Sequence, residues 1–237
     1  MKIRIRFKKE GTMKFIGHLD MMRYFQKVFR RADVDIEYSQ GFSPHQLISF
    51  ASPLGVGLTS EGEYMDIFVH SCDDSKTMVE RINQHMVEGV SVLSFKQILD
   101  ETKNSNAMSL IAAADYIVSF REGRCPDSLN EAAILQFMSL NEIVVTKKTK
   151  KSVANTDIKP MIHSLAFENG QLKMRVATGS AANLKPELLV SALYRMMGLE
   201  LNEFDLCIHR LDMFAKDSQT GGFISLDDLG ADISGKR

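Results

Sequence analysis

The side chains best able to do chemistry crowd into the first 60 residues. Lys14-Phe15-Ile16-Gly17-His18-Leu19-Asp20 sets an imidazole beside a carboxylate. Tyr38-Ser39-Gln40-Gly41-Phe42-Ser43-Pro44-His45 adds a second imidazole among small and aromatic residues. Two histidines can work as general acid and base, or bind a metal together with a carboxylate. His18, Asp20 and His45 are therefore the catalytic candidates. The plainer reading puts His18 and Asp20 in the first turn of a helix, where the macrodipole favours the carboxylate. No Ser-His-Asp arrangement or His-Glu-x-x-His motif occurs, and no metal site is expected.

Tyr38, Gln40, Gly41, Phe42, Ser43 and His45 read as the lining of a binding pocket. Gly41 permits a close backbone approach, and Tyr38 and Phe42 offer ring faces on which a base can stack. Pro44 and Pro53 stiffen the loops. The later Gly55-Val56-Gly57-Leu58 lacks the Lys-Ser/Thr of a phosphate loop, and no helix is expected after it. The competing reading is a set of irregular turns around a hairpin.

Basic side chains gather in two places. Arg23, Lys27, Arg30 and Arg31 share one flank of a predicted helix, with almost no acidic partner after Asp20. Lys147, Lys148, Lys150 and Lys151 form a run around Thr149, followed by Asp157-Ile158-Lys159-Pro160. Both suit phosphate contacts, which give position and affinity more than sequence specificity; both also fit a solvated surface. The formal net charge is only -1, so an RNA reading rests on these local clusters.

Composition bounds the rest. Apolar residues make up 44% and charged residues 25% of 237, a globular balance. Cys72, Cys125 and Cys207 stand in no disulfide or metal spacing, which points to a reducing cytoplasm. The N-terminus has no apolar signal region. No segment approaches the ~20 apolar residues of a membrane span, so no membrane partner is expected.

The elements that must position these groups follow from periodicity. Ile3 to Lys9 alternates as a strand, with Ile3, Ile5 and Phe7 inward and Arg4, Arg6 and Lys8 forming a basic outer face. A helix over His18 to Ala32 has Leu19, Met22, Phe25, Val28 and Phe29 as its apolar stripe. Extended segments at 35–38, 46–51 and 63–70, a helix over 75–86 and a strand over 90–98 complete a split βαβ order. The second half repeats it, with strands at 115–121, 142–147, 173–178 and 204–214 and helices at 128–140 and 185–197. The expected fold is α+β, two tandem ferredoxin-like units. Residues 1–99 form the first domain, 100–110 a linker, 111–215 the second domain and 216–237 a flexible acidic, glycine-bearing tail.

These motifs, together with Ser49-Phe50-Ala51-Ser52-Pro53-Leu54-Gly55 and Glu61-Gly62-Glu63-Tyr64-Met65-Asp66, resemble the radical-SAM-linked protein family, a domain of unknown function. The match is close in the first half and looser through Lys147 to Pro160. The resemblance implies a partner, a cobalamin-binding radical-SAM protein beside which relatives occur or to which they are fused. That partner would carry the iron–sulfur cluster, S-adenosylmethionine and cobalamin; this chain is expected to bind no cofactor of its own. It implies no transferable catalytic residue. A looser, architectural resemblance is to the CRISPR repeat-processing RNA endonucleases, with no motif mapping residue by residue. The leading expectation is a non-catalytic accessory protein that binds tRNA or rRNA for modification by the partner. The alternatives are an RNA-processing or RNA-modifying enzyme using His18 and His45, and a pure protein–protein adaptor.

Overall fold

The computed structural model describes residues 1–99, 105–148 and 153–235. The protein is α+β and divides into two compact units, Met1–Ala112 with Asp212–Arg237, and Ala113–Leu211. Among the described residues no helix is long and apolar enough to cross a membrane.

In the first unit, β1 (Lys2–Lys9) leads through a 3-10 turn at Gly11–Phe15 into α1 (His18–Arg31). The helix buries Met21, Phe25, Val28 and Phe29, a spacing of four, three and one that makes one apolar stripe. Phe25 meets the ring of Phe7 on β1 edge-on at 4.9 Å and Phe29 at 5.7 Å. Burying each such side chain contributes about 1.5–3 kcal/mol. The stripe is phased on Phe25 and Phe29, which reach back one turn to Met21; Leu19, expected in the stripe, is exposed and Met22 half-buried.

Next come β2 (Ile48–Phe50), β3 (Thr59–Phe68), α2 (Ser75–Asn83), β4 (Val90–Ile98) and the short α3 (Ala107–Leu110). The Asp74 carboxylate caps α2 by accepting from Thr77 N at 3.0 Å. Strand β1 pairs antiparallel with both β3 and β4, and β2 pairs with β3. The order β4-β1-β3-β2 puts the first strand inside, as a split βαβ unit does. The segment expected as a strand at 35–38 makes only the isolated bridges Ile36↔Val69 and Tyr38↔Gln46.

The second unit takes up β5 (Ile111–Phe120) at Ala113, then α4 (Glu131–Ser139), β6 (Val144–Lys148), β7 (Val153–Asp157), β8 (Ile162–Glu168), β9 (Gln171–Ala177), α5 (Pro186–Met196) and β10 (Leu206–Lys216) as far as Leu211, the rest of β10 belonging to the first unit. Its strands follow the order β10-β5-β9-β8, again with the first strand inside. Strands β6 and β7 pair only with each other. Sequence reading passes over β7 and β8 because polar residues interrupt the alternation in both.

Beyond Lys216 the chain forms ordered elements in place of the expected flexible tail. Strand β11 (Phe223–Ser225) pairs with the end of β10, and β12 (Ala231–Asp232) pairs with β4. Between them Leu226 is fully buried and Asp227 bonds Ser94 and, at 2.6 Å, Lys96. Gly230 passes so close to β4 that a Cβ there would lie 2.7 Å from Lys96 Cβ. The acidic and glycine residues that suggest a tail thus make its ion pair and its close approach.

The basic outer face expected of β1 at Arg4, Arg6 and Lys8 is corrected at Arg4, while Arg6 and Lys8 are half-buried. Lys2 and Arg4 are 0% and 1% exposed. Arg4 Nε donates to Asp66 Oδ1 at 2.8 Å and Nη2 to Oδ2 at 3.1 Å. Further donations reach Ser105 O and, in the C-terminal segment, Leu226 O. Lys2 Nζ donates to Ser105 Oγ and Asn106 Oδ1 at 2.7 and 2.6 Å.

Candidate nucleic-acid interface

Arg23, Lys27, Arg30 and Arg31 are all exposed on α1, because the opposite side of the helix carries the aromatic stripe. Asp20 pairs with Arg23 at 3.4 Å across one turn. Among the described residues no ion pair engages Lys27 or Arg30. Exposed cations left without carboxylate neighbours keep their field available to an anion.

The loop that follows is tied to this flank. Gln46 is buried and donates from Nε2 to the carbonyl of Gln26 on α1 (3.4 Å) and to the Tyr38 hydroxyl (3.3 Å). Gln26 lies three residues after Arg23 and four before Arg30, so all three share one side of the helix. The loop root is therefore bonded to the α1 backbone at a point between Arg23 and Arg30 along the helix. Ser39 and His45 close the loop: Ser39 N donates to His45 O (2.8 Å), His45 N donates to Ser39 Oγ (3.1 Å), and that hydroxyl meets His45 Nδ1 at 2.8 Å.

Within this clamp Gln40, Gly41, Phe42, Ser43 and Pro44 are exposed, and the Phe42 ring stands fully in solvent. Gly41 has φ +114°, a conformation that side chains rarely adopt. The expected pocket residues form a projecting loop with a ring at its tip.

The catalytic candidates each engage a different neighbour. His18 packs edge-on against Phe50 at 5.1 Å, Asp20 pairs with Arg23, and His45 bonds Ser39. Among the described residues no group of three or more His, Cys, Asp or Glu is placed to hold a metal ion.

His18 does border a small void of about 20 Å³ with Lys9, Glu63 and Phe50. That space is about one water in size. Lys9 is buried and donates to Ile16 O at 2.7 Å; burial pushes its pKa down, opposed by the Glu63 carboxylate. Sequence reading missed Lys9 and Glu63, because β1 and β3 carry several charged residues each and nothing local marks these two as the ones that are buried.

Of the second basic cluster, Lys147 and Lys148 belong to β6, paired through their backbones with Ala154 and Val153. The side chains of Lys147 and Lys148, and all of Lys150 and Lys151, lie outside the described residues. The following Asp157-Ile158-Lys159-Pro160 has a structural role. Asp157 Oδ1 accepts from Ile143 N (2.8 Å) and Lys159 N (3.0 Å), closing the base of the β6–β7 hairpin. These bonds hold its carboxyl below the usual carboxylate range.

A family model described as "Uncharacterized protein conserved in bacteria (DUF2344)" matches residues 2–186. Nothing among curated proteins matches the chain. Among solved structures it is similar to a chain in the crystal structure of a Cbf5-Nop10-Gar1 complex, at 10% identity and a TM-score of 0.48. That likeness covers 91% of this chain and 50% of the other, so this protein spans half the length of the solved chain.

Proposed function

On the premise that this chain belongs to the DUF2344 family of uncharacterized proteins conserved in bacteria, we propose that it binds RNA through the outer side of α1 and the 38–46 loop. In this reading it is an accessory protein. It presents a tRNA or rRNA segment to a separate cobalamin-binding radical-SAM enzyme, which supplies the iron–sulfur cluster, S-adenosylmethionine and cobalamin. The chemistry is the partner's; this chain holds and orients.

The observation that carries the reading is the exposed run Arg23, Lys27, Arg30 and Arg31, on the helix to which the loop root is bonded at Gln26. In a chain of net charge -1, such a cluster concentrates positive potential on one helix. Each phosphate neutralised there releases condensed counterions, which makes affinity fall with salt. The separate neighbours of His18, Asp20 and His45 favour holding over turnover.

The test is an electrophoretic and anisotropy titration of the chain with bulk tRNA and rRNA fragments over a salt series. The double charge reversal Arg23→Glu, Arg30→Glu is expected to weaken binding by at least ten-fold at low salt and to flatten the salt slope by about two phosphate contacts. Retention of wild-type affinity and slope by the folded double variant would overturn the assignment.

A further inference from the structure

We infer that Phe42 is a stacking platform for one unpaired nucleotide, so that the RNA taken by this surface is single-stranded where it meets the 38–46 loop. The inference rests on the RNA reading of α1 and deepens it by naming the class of RNA.

The first observation is the cost of what the loop does. Phe42 is fully exposed, whereas aromatic side chains gain most by burial. A loop with no partner could hold a polar residue there at no loss. Instead the backbone is built to keep the ring out. Gly41 takes φ +114°, and the paired Ser39–His45 bonds close the loop on either side of the tip. The ring is therefore presented by a restrained loop, which lowers the ordering cost of binding.

The second observation is where the ring is held. Phe42 stands four residues from both Tyr38 and Gln46, the bridged pair at the loop root, and Gln46 is bonded to Gln26 of α1. Four extended residues span at most about 14 Å. The tip thus stays within a few nucleotides' reach of Arg23, Lys27 and Arg30. Cations that hold the backbone, next to an aromatic face that takes a base, make up the pattern of single-strand recognition. A paired helix offers no free base face, since its bases are stacked on one another and its grooves display edges and 2′-hydroxyls. A protruding ring serves a duplex only by unstacking it.

The geometry also divides the work within the loop. Phe42 supplies a face to any base. Exposed Gln40 and Ser43, on either side of it, supply a side-chain amide and a hydroxyl able to read base edges. His45 is engaged by Ser39 and holds the loop's shape, which makes it a positioning residue.

The experiment titrates the full chain with a labelled single-stranded oligoadenylate, the same strand annealed to its complement, and the strand carrying one abasic site. A fluorescent adenine analogue within the strand reports stacking by quenching. Wild-type protein is expected to prefer the single strand and to quench the analogue. Phe42→Ala is expected to lose on the order of 10- to 100-fold in single-strand affinity and the quench, with duplex affinity unchanged. Phe42→Trp is expected to keep both, and Arg23→Glu to weaken strand and duplex alike. An unchanged single-strand affinity and quench in Phe42→Ala, with Arg23→Glu still damaging, would overturn the platform and leave RNA binding by α1 standing. Equal wild-type affinity for strand and duplex would overturn it as well. Absence of binding to either form by wild-type protein would overturn both readings together.

Discussion

Arg4 on β1 and Asp66 on β3 face one another across the strand pair and join through two hydrogen bonds, Nε to Oδ1 at 2.8 Å and Nη2 to Oδ2 at 3.1 Å, with 1% and 2% of their side chains exposed. The remaining capacity of the pair is used locally. Asp66 Oδ2 also accepts from Ala107 N at 2.7 Å, and Arg4 also donates to Ser105 O and Leu226 O. One ion pair thereby fastens residues 105–107 and the C-terminal segment to the central strands of the first unit.

Breaking this pair from one side leaves a buried, uncompensated charge. Asp66→Ala is expected to destabilise the first unit by about 3–5 kcal/mol. Lys2 Nζ, fully buried, also lies 3.9 Å from Asp66 Oδ2, so recovery of much of that loss is expected only when all three charges give way to apolar residues of similar size, Lys2→Met and Arg4→Met with Asp66→Leu. Denaturant titration of Arg4→Met, Asp66→Leu, their double and the triple would measure it, and additive single losses in the double would argue against the pairing.

Leu226→Ala is expected to cost about 2–5 kcal/mol, because the side chain is fully buried. A residue in a flexible tail would change stability by less than about 0.5 kcal/mol. The thermal midpoint of Leu226→Ala against wild type separates the two directly. Hydrogen exchange at Ile224 and Ser225 should rise in the same variant, since β11 pairs with Phe214 and Ala215 beside that anchor.

The Asp157 carboxyl is held below the usual carboxylate range by the Ile143 and Lys159 amides. A lowered folded-state pKa means that the ionised form stabilises the hairpin base above the usual range and that this contribution is lost as pH falls through the lowered value. Asp157→Ala is therefore expected to increase amide exchange at Ile143 and Lys159 at neutral pH, with the gap from wild type narrowing in acid. A gap that stays constant with pH would show that charge is not what holds the base.

Tyr194 on α5 is buried, and its hydroxyl meets no hydrogen-bond partner among the described residues. Burial pushes its pKa up to about 12, with Cys125 and Asp205 acting in the same direction. A raised value favours the neutral phenol in the folded chain. That contribution is whole below about pH 10, the unperturbed value, and is lost as pH rises through about 12. Tyr194→Phe removes an orphaned polar group and is expected to be neutral or stabilising at pH 7, by up to about 1 kcal/mol. It is also expected to shift alkaline unfolding to higher pH; a variant that unfolds at wild-type pH would contradict this.

Much of the frame was legible in the sequence because periodicity is local. The alternation of Ile3, Ile5 and Phe7, the helix from His18 and the strand over Val90–Ile98 each declare themselves within one element. So does the basic flank of α1, since offsets of four, seven and eight fix one side of any helix. Tertiary structure alone decided what lies on the far side of each element. Alternation assigned Arg4 to a face without saying that residues 105–107 and Leu226 would cover it, because those partners lie 101 to 222 residues away. Composition made 216–237 look like solvent-borne tail, yet β11 pairs with β10, β12 pairs with β4, and Leu226 between them is buried. Spacing likewise put His18, Asp20 and His45 within one segment of sequence, while packing gave each a separate neighbour. Sequence sets which face of an element is apolar or charged. Which chain arrives to meet that face is a long-range contact, and no local pattern encodes it.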